Sequence, residues 1–419
     1  MKNKITTGIN SDILIIGILF FIFGFVTWLG SILIPYLKIA CELTTFESYL
    51  VAFSFYISYT IMAIPSAWVL RKTGSKKGMS LGLFIMALGA LLFIPAALTR
   101  WYPLFLLGLF IQGAGLTILQ SASNPYITKL GPAESAARRI SIMGICNGIA
   151  GVMAPIILGA IILSDADLLE QKLSALNATE RITELEALAS RVIFPYISMM
   201  IVLFMLALLI YFSSLPELDT DEEDEATNAA NANKKSILQF PHLLLGVLTV
   251  FLYVGVEVIA VDTIFGFATS QGVAANQATY FASFTILNML VGYVIGIICI
   301  PRFIKQDHAL KLSAIAGIAF ALIALFTGGI TSVIFISLLG LANSLIWPSI
   351  WPLAISSLGR FTKTGSSLLI MAIGGGAVLP LLYGRLAEDF NPQVAYWLVI
   401  PCYLFILYYA VSAHKIRTR

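Results

Sequence analysis

Glu257 and Asp262 are the residues of this sequence best placed to do chemistry, because they are carboxylates set inside a long apolar run, residues 239–268. An ionisable group at such a depth costs several kcal/mol unless it meets a partner or a polar cavity. A carboxylate there can hold a cation, take up a proton, or accept hydrogen bonds from hydroxyl groups. For Asp262, nearer the end of the run, ordinary solvation is the competing reading. The apolar runs also carry neutral hydrogen-bonding side chains: Ser31, Gln112, Gln120, Ser121, Ser123, Asn124, Asn147, Asn288 and Asn343. Amides in a membrane often do no more than tie one helix to another, at about 0.6–2 kcal/mol per bond. Gln120 and Asn124, however, are four residues apart and share a helical face, as do Asn343 and Trp347. Groups that both donate and accept suit a ligand rich in hydroxyls. Trp28, Trp347 and Trp351 lie within runs rather than at their ends. There they could offer planes on which the apolar C–H faces of a sugar ring pack, or simply fill space between helices. Trp68, Trp101 and Trp397 sit near run ends and read as interfacial anchors.

The elements that must position these residues are membrane spans. The chain has 419 residues, 59% hydrophobic and 11% charged, against about 25% charged in soluble domains. Runs of about 20 apolar residues are needed to cross a hydrocarbon core. Spans are predicted near residues 12–37, 46–70, 79–98, 102–128, 136–163, 191–214, 239–268, 277–301, 309–328, 331–357, 364–387 and 392–413. The fold class is therefore all-α and membrane-embedded, a multi-pass protein of about twelve helices. With both termini cytoplasmic, 19 of the 25 Lys and Arg fall on the inside, leaving Lys38, Arg100, Lys172, Arg181, Arg191 and Arg385 outside. The positive-inside rule selects this orientation. Residues 165–190 space their leucines like one helical face and read as an amphipathic helix on the outer surface.

The chain divides into a six-helix half at 1–214, an acidic cytoplasmic linker at 215–238 holding Asp219, Asp221, Glu222, Glu223, Asp224 and Glu225, and a second six-helix half at 239–419. The halves echo each other: Leu130-Gly131 and Ile142-Met143 recur as Leu358-Gly359 and Ile370-Met371, offset by the same 228 residues (358 − 130 and 370 − 142). Parallel halves of this kind are the layout of one large class of secondary transporters, whose substrate site lies between them. A chance likeness of two apolar stretches is the competing explanation.

Other classes find little support. The basic residues are scattered rather than gathered on a face, which argues against nucleic acid. Cys41, Cys146, Cys299 and Cys402 lie far apart and read as buried thiols, and no Cys/His spacing suggests structural metal. No GxxxxGK[ST], HExxH or GxSxG motif occurs, so ATP-driven transport and intramembrane hydrolysis lack their chemistry, and no enzyme and no cofactor are expected.

Several segments carry a family resemblance: Phe20-Phe21 through Ile34-Pro35-Tyr36-Leu37-Lys38, Leu119-Gln120-Ser121-Ala122-Ser123-Asn124-Pro125-Tyr126, Gly144-Ile145-Cys146-Asn147, Tyr253-Val254-Gly255-Val256-Glu257-Val258 and Trp347-Pro348 through Trp351-Pro352-Leu353. With these the chain resembles a major facilitator superfamily sugar porter of the fucose:proton symporter family, in its bacterial glucose/galactose transporter branch. The superfamily's loop signature survives only as Arg71-Lys72-Thr73-Gly74-Ser75-Lys76-Lys77-Gly78. The resemblance implies the major facilitator fold, a bacterial inner (cytoplasmic) membrane location, and asparagine at Asn147 in the sugar site. It also exposes two departures. Where fucose porters carry a carboxylate in span one this chain reads Gly30-Ser31, and where they carry one in span four it has Gln120. Glu257 and Asp262 are then the remaining candidates to hold a coupling cation, Na⁺ or H⁺.

The expected function is secondary active import of a hexose, glucose- or galactose-like, by alternating access and cation symport. The sugar would contact Trp28, Ser31, Gln120, Asn124, Asn147, Glu257, Asn288, Asn343, Trp347 and Trp351. The partners are the sugar and the lipid bilayer, and a monomer suffices because two halves enclose one site. The alternatives are an uncoupled sugar facilitator, an importer of N-acetylglucosamine or another sugar, an exporter of amphipathic compounds, and a membrane sugar sensor.

Overall fold

Apolar runs in lipid must satisfy their own backbone hydrogen bonds, and a helix does so within one segment. The computed structural model of the chain describes residues 2–129, 136–163, 173, 175–213, 215, 234, 236–300, 302–358 and 361–416. It leaves side chains at 2–13, 124–129, 136–141, 362 and 363 undescribed. Among the described residues, eleven helical segments are long and apolar enough to cross a membrane. The longest, Thr45–Thr99, holds two crossings, because Gly74 turns the chain inside it at φ 77°. That backbone conformation favours glycine. Among the described residues the architecture is thus all-α with twelve spans.

Span one consists of Lys2–Thr27 and Gly30–Ala40, spans two and three of Leu50–Leu91 on either side of Gly74 with Phe93–Thr99, span four of Tyr102–Lys129, span five of Ala136–Ile162 and span six of Ile193–Phe212. Span seven is Pro241–Asp262 with Ile264–Ser270, span eight Ala275–Cys299 and span nine Gln306–Phe326. Span ten is Gly329–Asn343 with Ile346–Ile355, span eleven Thr362–Met371 and Gly375–Asp389 joined by a 3₁₀ turn, and span twelve Val399–Val411 with its leading turn. Spans one, seven, ten and eleven are broken, which their hydropathy does not reveal.

Within the first six spans, one packs on five, four on the two–three pair, and six on three; within the last six, seven packs on eleven, eight and nine on ten, and nine on twelve. Ile142-Met143 lie in span five and Ile370-Met371 in span eleven, so the repeat relates each span to the one six later; Leu130, Gly131 and Gly359 fall outside the described residues, as does most of the acidic linker. The amphipathic helix is present over Ala178–Ser190 in its described part. It is fastened to span one by Tyr36, whose hydroxyl donates to the carbonyls of Leu188 (3.0 Å) and Ala189 (2.8 Å). The thiols divide: Cys402 is buried as expected, but Cys41, Cys146 and Cys299 are only partly so.

The two sets of six meet chiefly through spans two and eleven, five and eight, and one and seven. The described polar and aromatic ties are the Phe46 amide to Glu388 (3.2 Å), the Thr60 hydroxyl to the Met371 carbonyl (2.9 Å), the Ser283 hydroxyl to the Val152 carbonyl (2.8 Å), and an edge-on Tyr49–Tyr383 pair. These run from mid-span to the end bearing residues 41–44 and 389–391. At that end the halves are closed on each other.

At that same end, Gln393 fastens the exit of span nine. Its Nε2 donates to the carbonyls of Ala324 (3.0 Å), Leu325 (3.1 Å) and Thr327 (2.7 Å), which have no helical donor of their own. Gln393→Ala is expected to cost about 1–3 kcal/mol, read as a lower thermal midpoint of the purified protein in detergent. An unchanged midpoint would show that water replaces the amide without loss.

Candidate functional site

Span seven places Tyr253 and Glu257 one helical turn apart, and the Tyr253 hydroxyl donates to Glu257 Oε1 at 2.5 Å. This bond fixes the direction of the carboxylate. Span ten places Trp347 and Trp351 one turn apart, their ring centroids 5.2 Å from each other, and Trp347 packs on Tyr253 at 6.4 Å. Both tryptophans and Glu257 are half-buried. Tyr293 of span eight and Tyr403 of span twelve stand within electrostatic reach of the same carboxylate. So does Tyr56 of span two, from the other half. The result is one carboxylate among phenols and indoles, open enough to meet a ligand.

The first half contributes Gln120, half-buried in span four and hydrogen-bonded to Tyr59 of span two, and Asn147, half-buried in span five. Span one approaches span five so closely at Asn147 that a Cβ on Gly24 would collide with the Asn147 carbonyl. Trp28 is 4% exposed and lies over Gly151 of span five, where any side chain would strike its ring.

Three of the amides and hydroxyls read from the sequence are occupied otherwise. Ser31 is fully buried and returns its hydroxyl to the Trp28 carbonyl at 3.0 Å, steadying the break in span one. Asn288 donates to the Ser337 carbonyl at 3.3 Å and ties span eight to span ten. Asn343 accepts from the Tyr403 hydroxyl at 2.8 Å and is 1% exposed. The helix breaks at residues 344–345, between Asn343 and Trp347, so the four-residue spacing read from the sequence does not run along one continuous helix. The side chain of Asn124 lies outside the described residues. Asp262 is 2% exposed, facing the first half at Gly30, where a Cβ would lie 2.7 Å from its Oδ2; ordinary solvation does not describe it.

The sequence of the chain matches the Major Facilitator Superfamily over residues 16–380. This chain belongs to the major facilitator superfamily. As a superfamily member it is 34% identical over 401 residues to the glucose/galactose transporter of Brucella abortus biovar 1 (strain 9-941), covering 95% of this chain and 93% of that one. It is 32% identical over 369 residues to the L-fucose-proton symporter of Escherichia coli (strain K12), covering 87% and 84%. A crystal structure of the major facilitator transporter FucP in the outward conformation superimposes with a TM-score of 0.72 at 30% identity, covering 95% of this chain and 97% of that chain. Superfamily membership makes the chain a transporter and not an enzyme.

Sequence reasoning passed over the tyrosines of this transporter. Tyr56, Tyr59, Tyr253, Tyr293 and Tyr403 surround the polar centre, yet each sits in an apolar run as an ordinary packing residue would. The usable signal was the spacing of Tyr253 to Glu257, the same four residues that separate Trp347 from Trp351.

Proposed function

We propose that this transporter imports a hexose, glucose- or galactose-like, by alternating access with a coupled cation. The sugar sits between the halves, its apolar face on Trp347 and Trp351 and its hydroxyls on Glu257, Gln120 and Asn147, with Trp28 and Asn124 nearby. The observation that carries this reading is the Tyr253–Glu257 pair set against the tilted Trp347–Trp351 pair, with half-buried amides at Gln120 and Asn147 in the other half. A carboxylate with adjacent indole planes suits a ligand that is polar at its rim and apolar on its faces. The names of the relatives, glucose/galactose transporter and L-fucose-proton symporter, support both the substrate class and H⁺ as the ion, with Na⁺ the competitor. Ser31, Asn288 and Asn343 serve the helix packing instead of the sugar.

The halves are residues 1–214 and 239–419, joined by the linker at 215–238. The orientation is with both termini cytoplasmic in a bacterial inner membrane, which makes the closed end the outer one. The working unit is a monomer.

Radiolabelled D-glucose and D-galactose uptake into proteoliposomes, with pH and Na⁺ gradients imposed separately, tests the reading. Concentrative uptake is expected with an inward proton gradient. Uptake that equilibrates without concentrating under either gradient would make the protein a facilitator, and no uptake of either sugar would refute the substrate class.

A further inference from the structure

Four residues lining one small cavity at the closed end carry five buried polar atoms that have no hydrogen-bond partner among the described residues. They are the hydroxyl of Tyr56 (span two), Nε2 of Gln112 (span four), the hydroxyl of Tyr196 (span six), and both carboxylate oxygens of Asp262 (span seven). These residues are only 4%, 1%, 1% and 2% exposed. Each orphaned group left so would cost about 1–3 kcal/mol, and native proteins meet such groups with a bound species. Three of the four residues belong to the first half and Asp262 to the second, so the cavity is complete only while the halves are closed here. The seam runs through Gly30, whose backbone the Asp262 carboxylate abuts. The ionisable groups facing Asp262 are Tyr49, which caps span two, and Tyr56 within it, with Tyr196 of span six in the same cavity wall. Among the described residues no cation or N–H group bonds either of its oxygens.

We propose that this cavity is a proton site separate from Glu257: Asp262 takes a proton from hydronium as the halves close at this end and returns it to water when they part. Closing strips water from a carboxylate that has no cation to replace it, and a bare charge so enclosed is expensive. Protonation removes the charge and supplies an acid O–H, which a water held by the Gln112 amide and the two phenols can accept. On opening, water reaches the group and the O–H bond breaks to give carboxylate and hydronium. The inference rests on the reading that the two halves rock, and it adds the group that titrates as they do so.

The closed form then holds one proton more than the open form. The closed-to-open ratio therefore falls as pH rises, by up to tenfold per pH unit above the ordinary carboxylate range near pH 4. The test places nitroxide labels at Thr99→Cys and Phe390→Cys, on opposite halves of this end. The carrier is the full chain with its four native cysteines replaced by serine, in lipid vesicles without sugar. Interlabel distances from about pH 5 to about pH 8 should show the longer population growing with pH, and Asp262→Asn should flatten that dependence. Asp262→Ser serves the same purpose if the asparagine variant does not fold. Two exchanging distances that ignore pH, a pH dependence that survives loss of the carboxylate, or a shift that follows Na⁺ at constant pH would each overturn the proton site alone. A single distance under every condition, D-galactose included, would overturn the rocking and the proton site together.

Discussion

Replacing Glu257 with glutamine is expected to abolish accumulation of hexose against its gradient, so that inside and outside concentrations become equal, while exchange of labelled for unlabelled sugar continues. The reason is the asymmetry between a carboxylate and an amide. An ionised Glu257 enclosed between the halves carries a charge that the Tyr253 hydroxyl alone does not neutralise, at a cost of several kcal/mol. The empty carrier is thereby held back until a proton or cation arrives. Glutamine keeps the shape and accepts the same hydrogen bond, but it is neutral in every state. The carrier can then reorient with no ion bound, and sugar leaks down its gradient as readily as it is carried up. Exchange requires only the loaded carrier and survives. Transport into proteoliposomes under an imposed proton gradient, beside counterflow in the same vesicles, separates the two quantities. Persistent uphill uptake in the variant would remove Glu257 from the coupling role.

The second large effect is expected at Trp347. This ring packs against both Tyr253 and Trp351, which hold it in place before any ligand arrives. Preorganised aromatic surfaces of this kind are where truncation is most costly, about 2 kcal/mol or more, or roughly 30-fold in affinity. Trp347→Ala should raise the half-saturating hexose concentration by about that factor and leave the ion dependence of transport in place. Trp347→Phe, which retains a plane, should recover part of the loss. If the alanine variant transports with unchanged affinity, the sugar does not stack there.

How much of this was legible beforehand differs between the fold and the site. Hydropathy places all twelve spans because a lipid crossing needs length and apolarity, both of which are local properties. It does not reveal the breaks at residues 28–29, 263, 344–345 and 372–374, where backbone geometry is set by neighbouring helices. Asp262 and Ser31 show the same division within the site. Each is a polar residue in an apolar run, and their sequence contexts do not say that one bonds back to its own helix whereas the other has no hydrogen-bond partner among the described residues. Asn343 is comparable: its partner Tyr403 lies 60 residues away, a distance no spacing rule spans. Glu257 was identifiable because a carboxylate in the middle of a span always requires an explanation. The tyrosines around it required none, and were missed.

The central claim is that a hexose is held jointly by both halves, and calorimetric titration of the purified protein with D-glucose and D-galactose measures it most directly. Binding of at least one sugar is expected, weakened about fivefold or more by Gln120→Ala in the first half, the loss of about 1 kcal/mol of hydrogen bonding, and by a larger factor through Trp347→Ala in the second. An affinity that falls only for replacements in one half, or a wild-type protein that binds neither sugar, would contradict a site shared between them.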